Sequence, residues 1–191
     1  MNELSEDMLE FKRQMVHLLN GCVIASALYI LRPIYGLWVL VPLIAALFLL
    51  HAVPKFKPDL KISNHLMYHF ERKKDIENFP FKGAIFYGLG IIFPIVLLDD
   101  INYAVSVILI LSVGDSFSNL VGRRFGRIKI LDKSLEGTLG FFFSSWLVAS
   151  VFIDPAHALI MAFVSSVIEL FSFWDDNVTI PLGLSLLALY L

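Results

Sequence analysis

The sequence predicts an all-α fold, a polytopic membrane helix bundle of about seven transmembrane helices with one basic loop on the cytoplasmic side. Three observations carry that expectation. The chain is 58% hydrophobic with a mean hydropathy of +0.76, where soluble domains average about 45–50% apolar. Its apolar residues fall in blocks of roughly span length rather than in one dispersed core pattern. Its basic residues sort to one side of those blocks.

In chain order the apolar segments are 15–31, 33–50, 83–98, 101–121, 137–153, 156–174 and 178–191. Several are shorter than the roughly 20 residues that cross a bilayer. Pro33, Pro80, Pro155 and Pro181 stand at segment ends, where a missing N–H costs least. Glu3, Glu6, Asp7 and Glu10 make an acidic N-terminus, unlike the basic start of a signal peptide, so the first block is expected to be retained. Cys22 is the one cysteine, which excludes an internal disulfide and a cysteine-rich metal site.

With seven spans, fourteen basic residues fall on one face: Lys12, Arg13, Lys55, Lys57, Lys61, Arg72, Lys73, Lys74, Lys82, Arg123, Arg124, Arg127, Lys129 and Lys133. Arg32, Asp99, Asp100 and Asp154 fall on the other. The positive-inside rule makes the basic face cytoplasmic. The expected localisation is therefore integral, multi-pass, with the active site facing the cytoplasm. The chain reads as a single integral membrane domain, 1–191. Within it, segment 51–82 is a cytoplasmic or interfacial connector. Ile62, Leu66, Phe70 and Phe79 recur there at roughly helical spacing, as in an interfacial helix or a loosely ordered link.

Ionisable residues inside apolar segments are costly and usually face a bundle interior. Asp115, Ser118, Asn119 and Gly122 share one helix face, as do Ser165, Glu169, Ser172 and Asp176, and Arg13, His17, Asn20 and Gly21. Three such stripes at similar depth predict one shared pocket. Oxygen donors from Asp115, Asp176 and Asn177, with Glu169 nearby, suit Mg²⁺. The bland alternative is a set of buried seams between helices. Asp115, Glu169 and His17 are candidate proton acceptors, among which the sequence does not choose.

The stretch 122–137 is basic and carries Gly122, Gly126 and Gly137. Glycines let backbone N–H groups approach an anion, and the following helix start adds partial positive charge. Lys133, Ser134, Arg123 and Arg124 are then candidate phosphate ligands. The Walker A spacing is absent. His65 and His69 stand four apart with no acid between them, and Asp175-Asp176 is half of a D-D-x-x-D pattern.

The motif G-D-S-F-S-N-L-V-G-R-R-F-G followed by K-S-L-E-G-T resembles the CTP-dependent lipid-alcohol kinases: dolichol kinase, phytol kinase and the CTP-using diacylglycerol kinase. Glu10, Arg13 and His17 fit that family's opening pattern, and Asp176-Asn177 before Ile180-Pro181-Leu182 fits its late acid. Ser116 stands where Ala or Gly is commoner. The resemblance implies CTP binding by Gly122, Arg123, Gly126, Lys133, Ser134, Glu136 and Gly137, and a requirement for Asp115. It implies phosphorylation of a membrane lipid alcohol, with Mg²⁺ as cofactor. Expected partners are CTP, that alcohol and the lipid bilayer, with no nucleic acid; a homo-oligomer is compatible with this. A second resemblance, to phosphatidate cytidylyltransferase, lacks that family's C-terminal glycine–histidine motif. A small transporter would need polar stripes continuing to the far face, which these do not.

Overall fold

A computed structural model describes residues 3–71, 73–172 and 174–191; Arg72 of the connector lies outside them. Helix α1 (Glu3–Tyr35) passes through Pro33 into a 3-10 turn, Gly36–Val39, and then α2 (Leu40–Phe56). Gly36 has φ +57° with open space around it, so glycine serves the backbone there rather than packing. The connector folds as α3 (Lys61–Phe70) and α4 (Lys73–Asn78). Next come α5 (Lys82–Leu97), α6 (Ile101–Leu109), a π turn at Ile110–Gly114 and α7 (Asp115–Phe125). A hairpin follows, β1 (Lys129–Ile130) and β2 (Lys133–Ser134), then α8 (Leu135–Ala149), α9 (Pro155–Phe171) and α10 (Asp176–Ala188). The hairpin pairs antiparallel, Lys129 with Ser134 and Ile130 with Lys133, and is a small addition to a helical fold.

Aspartates start three of these helices. Asp100 accepts from Asn102 N at 2.8 Å, Asp154 from Ala156 N at 2.8 Å and Asp175 from Asn177 N at 3.1 Å. Each satisfies a backbone donor that the helix leaves over. The far-face acids Asp100 and Asp154 are thus helix caps.

The core lies around α6 and the π turn, where Ala104 to Leu111 are buried. Ile91 of α5, Phe141 of α8, Met161 of α9 and Ile180 of α10 close on it without exposure. Helix α1 packs on α6 and α7, α5 on α10, and α8 on both α7 and α9.

The seven-span expectation does not hold. Among the described residues, two helical stretches are long and apolar enough to cross a membrane, Asp7–Phe56 with 50 residues and Ile101–Phe125 with 25. The first two expected spans are joined in one of them. The apolar helices Lys82–Leu97, Leu135–Ala149 and Pro155–Phe171 are shorter. At 1.5 Å per residue they reach about 22–26 Å against about 30 Å of hydrocarbon. Part of their apolar character goes into packing on one another, as Ile91, Phe141 and Met161 do. The polytopic seven-helix membrane bundle is therefore corrected. The multi-pass placement with a cytoplasm-facing site rested on the same count and falls with it.

A Cβ at Gly90 would collide with the backbone oxygen of Asn177 and stand 2.8 Å from Pro181 Cγ. Gly90→Ala should lower the thermal unfolding midpoint of the purified protein. Overpacking of about 1–3 kcal/mol against immovable backbone outweighs a helix-propensity gain of at most about 1 kcal/mol.

Candidate functional site

The end of α7 and the start of α8 meet backbone to backbone. A Cβ at Gly137 would lie 2.9 Å from the Ser118 carbonyl oxygen and 3.3 Å from Gly122 Cα, and one at Gly126 would lie 2.7 Å from Ser134 Oγ. The three loop glycines thus permit a close crossing around Ser134. Ser134 itself caps α8, its Oγ accepting from Gly137 N at 3.2 Å. The Glu136 carboxylate reaches back to Ile128 N, at 3.3 Å from each oxygen. Hydrogen bonds from its own backbone N–H, then those of Arg127 and Ile128, hold that carboxyl below the usual range.

The hairpin so braced turns Lys133 into the bundle. Its Nζ donates to Glu169 Oε1 at 2.7 Å and to Asp176 Oδ2 at 2.8 Å. Glu169 is 1% exposed. It also accepts from Ser118 Oγ at 2.9 Å and, on its other oxygen, from Thr138 Oγ1 at 3.5 Å. Partial burial works against the ammonium charge, but the Asp176 and Glu169 carboxylates outweigh it and hold Lys133 above the ordinary lysine value. A buried carboxylate without such a partner would be expensive. Above this clasp opens a cleft of about 290 Å³, walled by Asn119, Gly122, Arg123, Lys129 and Asp132 among others.

Asp115 opens α7 directly after the π turn. Asn119 Nδ2 donates to its backbone oxygen at 3.0 Å and to its Oδ1 at 3.1 Å. His17 Nε2 stands 3.9 Å from its Oδ2. Ser116 Oγ donates to the Gln14 carbonyl at 3.2 Å, which ties α7 to α1 and gives the hydroxyl at that position a use. The Tyr87 and Ser112 hydroxyls lie 2.7 Å apart, and Ser112 Oγ donates to the Ile108 carbonyl at 2.7 Å, holding the π turn from the α5 side. A second cleft, about 490 Å³ and mainly apolar, reaches Asp115, His17, Asn20 and Asn177.

The expected single pocket is thus two clefts separated by the first turns of α7. Lys133, Ser134, Glu169, Gly122, Arg123, Gly126 and Gly137 border one; His17, Asp115 and Asn177 border the other. Arg123 is engaged by Asp7 at 2.6 Å, and the Arg124 guanidinium stands 5.6 Å from the Phe125 ring, outside both linings. Arg13 is paired with Glu10 at 3.2 Å. Glu169 takes Lys133 as partner, a pairing that no helical spacing announces. Thr138, Tyr87 and Ser112 were not among the expected residues. Thr138 ends the K-S-L-E-G-T motif; nothing local marks the other two.

The donors expected for Mg²⁺ do not form a cage. Asp176 Oδ2 is bonded to Lys133 and the Asn177 amide to Asp175 Oδ1 at 2.9 Å. Among the described residues no three His, Cys, Asp or Glu side chains gather to hold a metal ion. The His65 and His69 rings lie against each other, tilted by 59°, at 4.3 Å between centroids. The residues present do not fit a resident Mg²⁺, and an ammonium sits between the carboxylates where a cation would.

Fold and site define a helical protein with a glycine-lined cleft over a lysine clasped by the buried Glu169 and the half-buried Asp176, and an apolar cleft beside it. The chain belongs to the family of a Methanocaldococcus jannaschii protein known as "uncharacterized protein MJ1137", to which it is 30% identical over 179 residues, 91% of this chain and 90% of that one. It is also similar to the phytol kinase of Synechocystis sp., 33% identical over 123 residues, which are 56% of this chain and 53% of the kinase. It is 37% identical over 84 residues to the dolichol kinase of Saccharomyces cerevisiae, covering 37% of this chain and 16% of the kinase. The chain thus spans about half of one kinase and under a fifth of the other. No protein-family model and no solved structure matches it.

Lys133→Met should destabilise the fold by on the order of 3 kcal/mol, because it strands the buried Glu169. Adding Glu169→Gln should recover most of that loss in chemical denaturation. Folding raises the lysine's pKa, so its contribution is complete below the ordinary value of 10.5 and is lost only as pH climbs through the raised one. The difference from wild type should therefore stay level from neutral pH to about pH 10.

Proposed function

We propose that this protein transfers the γ-phosphoryl group of CTP to the hydroxyl of a membrane lipid alcohol. The observation that carries the reading is the placement of two unlike clefts on either side of one helical turn. Ser118 and Asn119 border the basic cleft, and Asp115, one turn earlier, borders the apolar one. A charged donor and a greasy acceptor need such a division, with their reacting ends brought to a common wall. The kinases to which the chain is similar are named for phytol and dolichol, both lipid alcohols.

Phosphoryl transfer asks for alignment and charge neutralisation more than for covalent chemistry. The triphosphate, taken as the magnesium complex of the substrate, enters the cleft of about 290 Å³. Lys129 offsets its charge there, joined by Arg123 once it leaves Asp7, while Lys133, held by Glu169 and Asp176, fixes the floor of the cleft. The acceptor hydroxyl approaches from the Asp115 side. Its oxygen bonds to the γ-phosphorus, the bridging oxygen leaves with CDP, and the hydroxyl proton passes to the Asp115 carboxylate. Glu169, held by Lys133 and Ser118, is a counter-charge rather than a base. The exposed apolar side chains of α1 and α2, including Leu19, Val23, Ile30, Trp38 and Phe48, suit a protein whose acceptor dissolves in a bilayer.

Purified protein given labelled CTP and geranylgeraniol should yield CDP and the alcohol's monophosphate. Pyrophosphate release with a CDP-lipid from phosphatidate would replace this reading with cytidylyl transfer. Asp115→Asn should lower the transfer rate at least about 100-fold with an unchanged unfolding midpoint. Mg²⁺ titrated calorimetrically into the protein alone should give no saturable heat, while the preformed Mg²⁺–CTP complex titrated into the protein should.

A further inference from the structure

Resting on the kinase reading, the geometry points to the acceptor's own site: the alcohol's hydroxyl docks between His17 Nε2 and Asp115 Oδ2, and its hydrocarbon chain fills the apolar cleft bounded by α1, α2, α3 and α5. Two polar atoms of residues that line this cleft are buried without a hydrogen-bond partner among the described residues, His17 Nε2 and Gln14 Oε1. Such orphans are uncommon in folded proteins and call for an explanation. The 3.9 Å between His17 Nε2 and Asp115 Oδ2 is too long for a direct hydrogen bond. One oxygen about 2.8 Å from each closes it, and a hydroxyl can donate one bond while accepting the other.

The rest of the cleft describes the rest of the ligand. Leu50, Leu66, Phe70, Phe81 and Ala84 line it, and Leu66 is exposed at its edge, leaving a route for a chain longer than the cleft. Its volume of about 490 Å³ falls in the range of small-molecule sites. Arg13 on its wall is neutralised by Glu10, so the cleft does not select an anion. His17 is kept in place by edge contact with Tyr87, at 4.5 Å between ring centroids. Tyr87 in turn binds the Ser112 hydroxyl of the π turn that leads to Asp115. Both halves of the hydroxyl clamp are thereby fixed to one buttress. A neutral alcohol with an apolar tail is the ligand this combination fits.

A Cβ at Gly83 meets only Arg13 Nη2, at 3.8 Å, so the first atom of a larger side chain has room there, at a position that lines the cleft. The experiment measures KM for geranylgeraniol and for CTP in wild type, Gly83→Leu, His17→Leu and His17→Gln. It is paired with photolabelling of wild type by a diazirine-bearing geranylgeraniol. Gly83→Leu and His17→Leu should raise the alcohol's KM at least about fivefold and leave that of CTP within twofold of wild type. His17→Gln, which restores a polar group near Nε2, should recover part of the loss. The label should fall on α3 and α5 and be displaced by unlabelled geranylgeraniol but not by CTP. An active Gly83→Leu enzyme with an unchanged alcohol KM, labelling outside the cleft, or displacement by CTP would each overturn the acceptor site while leaving the kinase reading intact. Labelling in the cleft by a wild-type protein that phosphorylates no alcohol would instead retain the site and overturn the kinase reading.

Discussion

One ammonium group holds the functional end of this molecule together. Lys133 meets Glu169 and Asp176, and Glu169 is also bound by Ser118 and Thr138. Five elements, α7, β2, α8, α9 and α10, therefore converge on a single charge pair and its satellites. Two-residue strands are marginal by themselves. This hairpin keeps its shape because its lysine is anchored below and Glu136 straps it above. The buried Glu169 makes the arrangement demanding: without the ammonium it would be a desolvated charge with only hydroxyls for company.

The same constraint divides the chemistry. Of the three carboxylates Glu169, Asp176 and Asp115, the first two are committed to Lys133 and Asp115 borders the apolar side. Its nearest side-chain partners there are His17 and Asn119. A triphosphate and a hydrocarbon chain have opposite solvent preferences, and one helix turn keeps their environments apart while bringing their reactive ends within reach. The glycines of the loop serve this by letting α7 and α8 touch, so that the basic cleft lies directly over the clasp.

Much of the helical layout was legible in the sequence. The apolar runs at 101–121, 156–174 and 178–191 anticipated α6, α9 and α10, while the polar stripe on 115–122, read as lining one shared pocket, forms the wall between two clefts. The span count was not legible, because hydropathy records that a side chain avoids water without recording what covers it. Phe141 and Met161 are buried by neighbouring helices, and a helix buried in protein reads like one buried in lipid. Nor could the sequence assign Glu169 and Asp176 to a lysine. Lys133 lies 36 residues from one and 43 from the other, and carboxylates that converge are equally well read as metal donors. Tyr87 and Ser112 carried no signal because each looks like an ordinary polar residue in an apolar helix.

The π turn at Ile110–Gly114 adds a constraint of a different kind. A wide turn sets the angular phase of everything downstream, and one residue of α-helix corresponds to about 100° of rotation. Five residues in a wide π turn cover about the same rotation as four in an ordinary α turn, so the turn takes up one residue and leaves Asp115 on the side that faces His17. Returning the segment to ordinary pitch with all its residues kept would instead turn Asp115 by about a quarter-turn away from His17, with every side chain of the site still present.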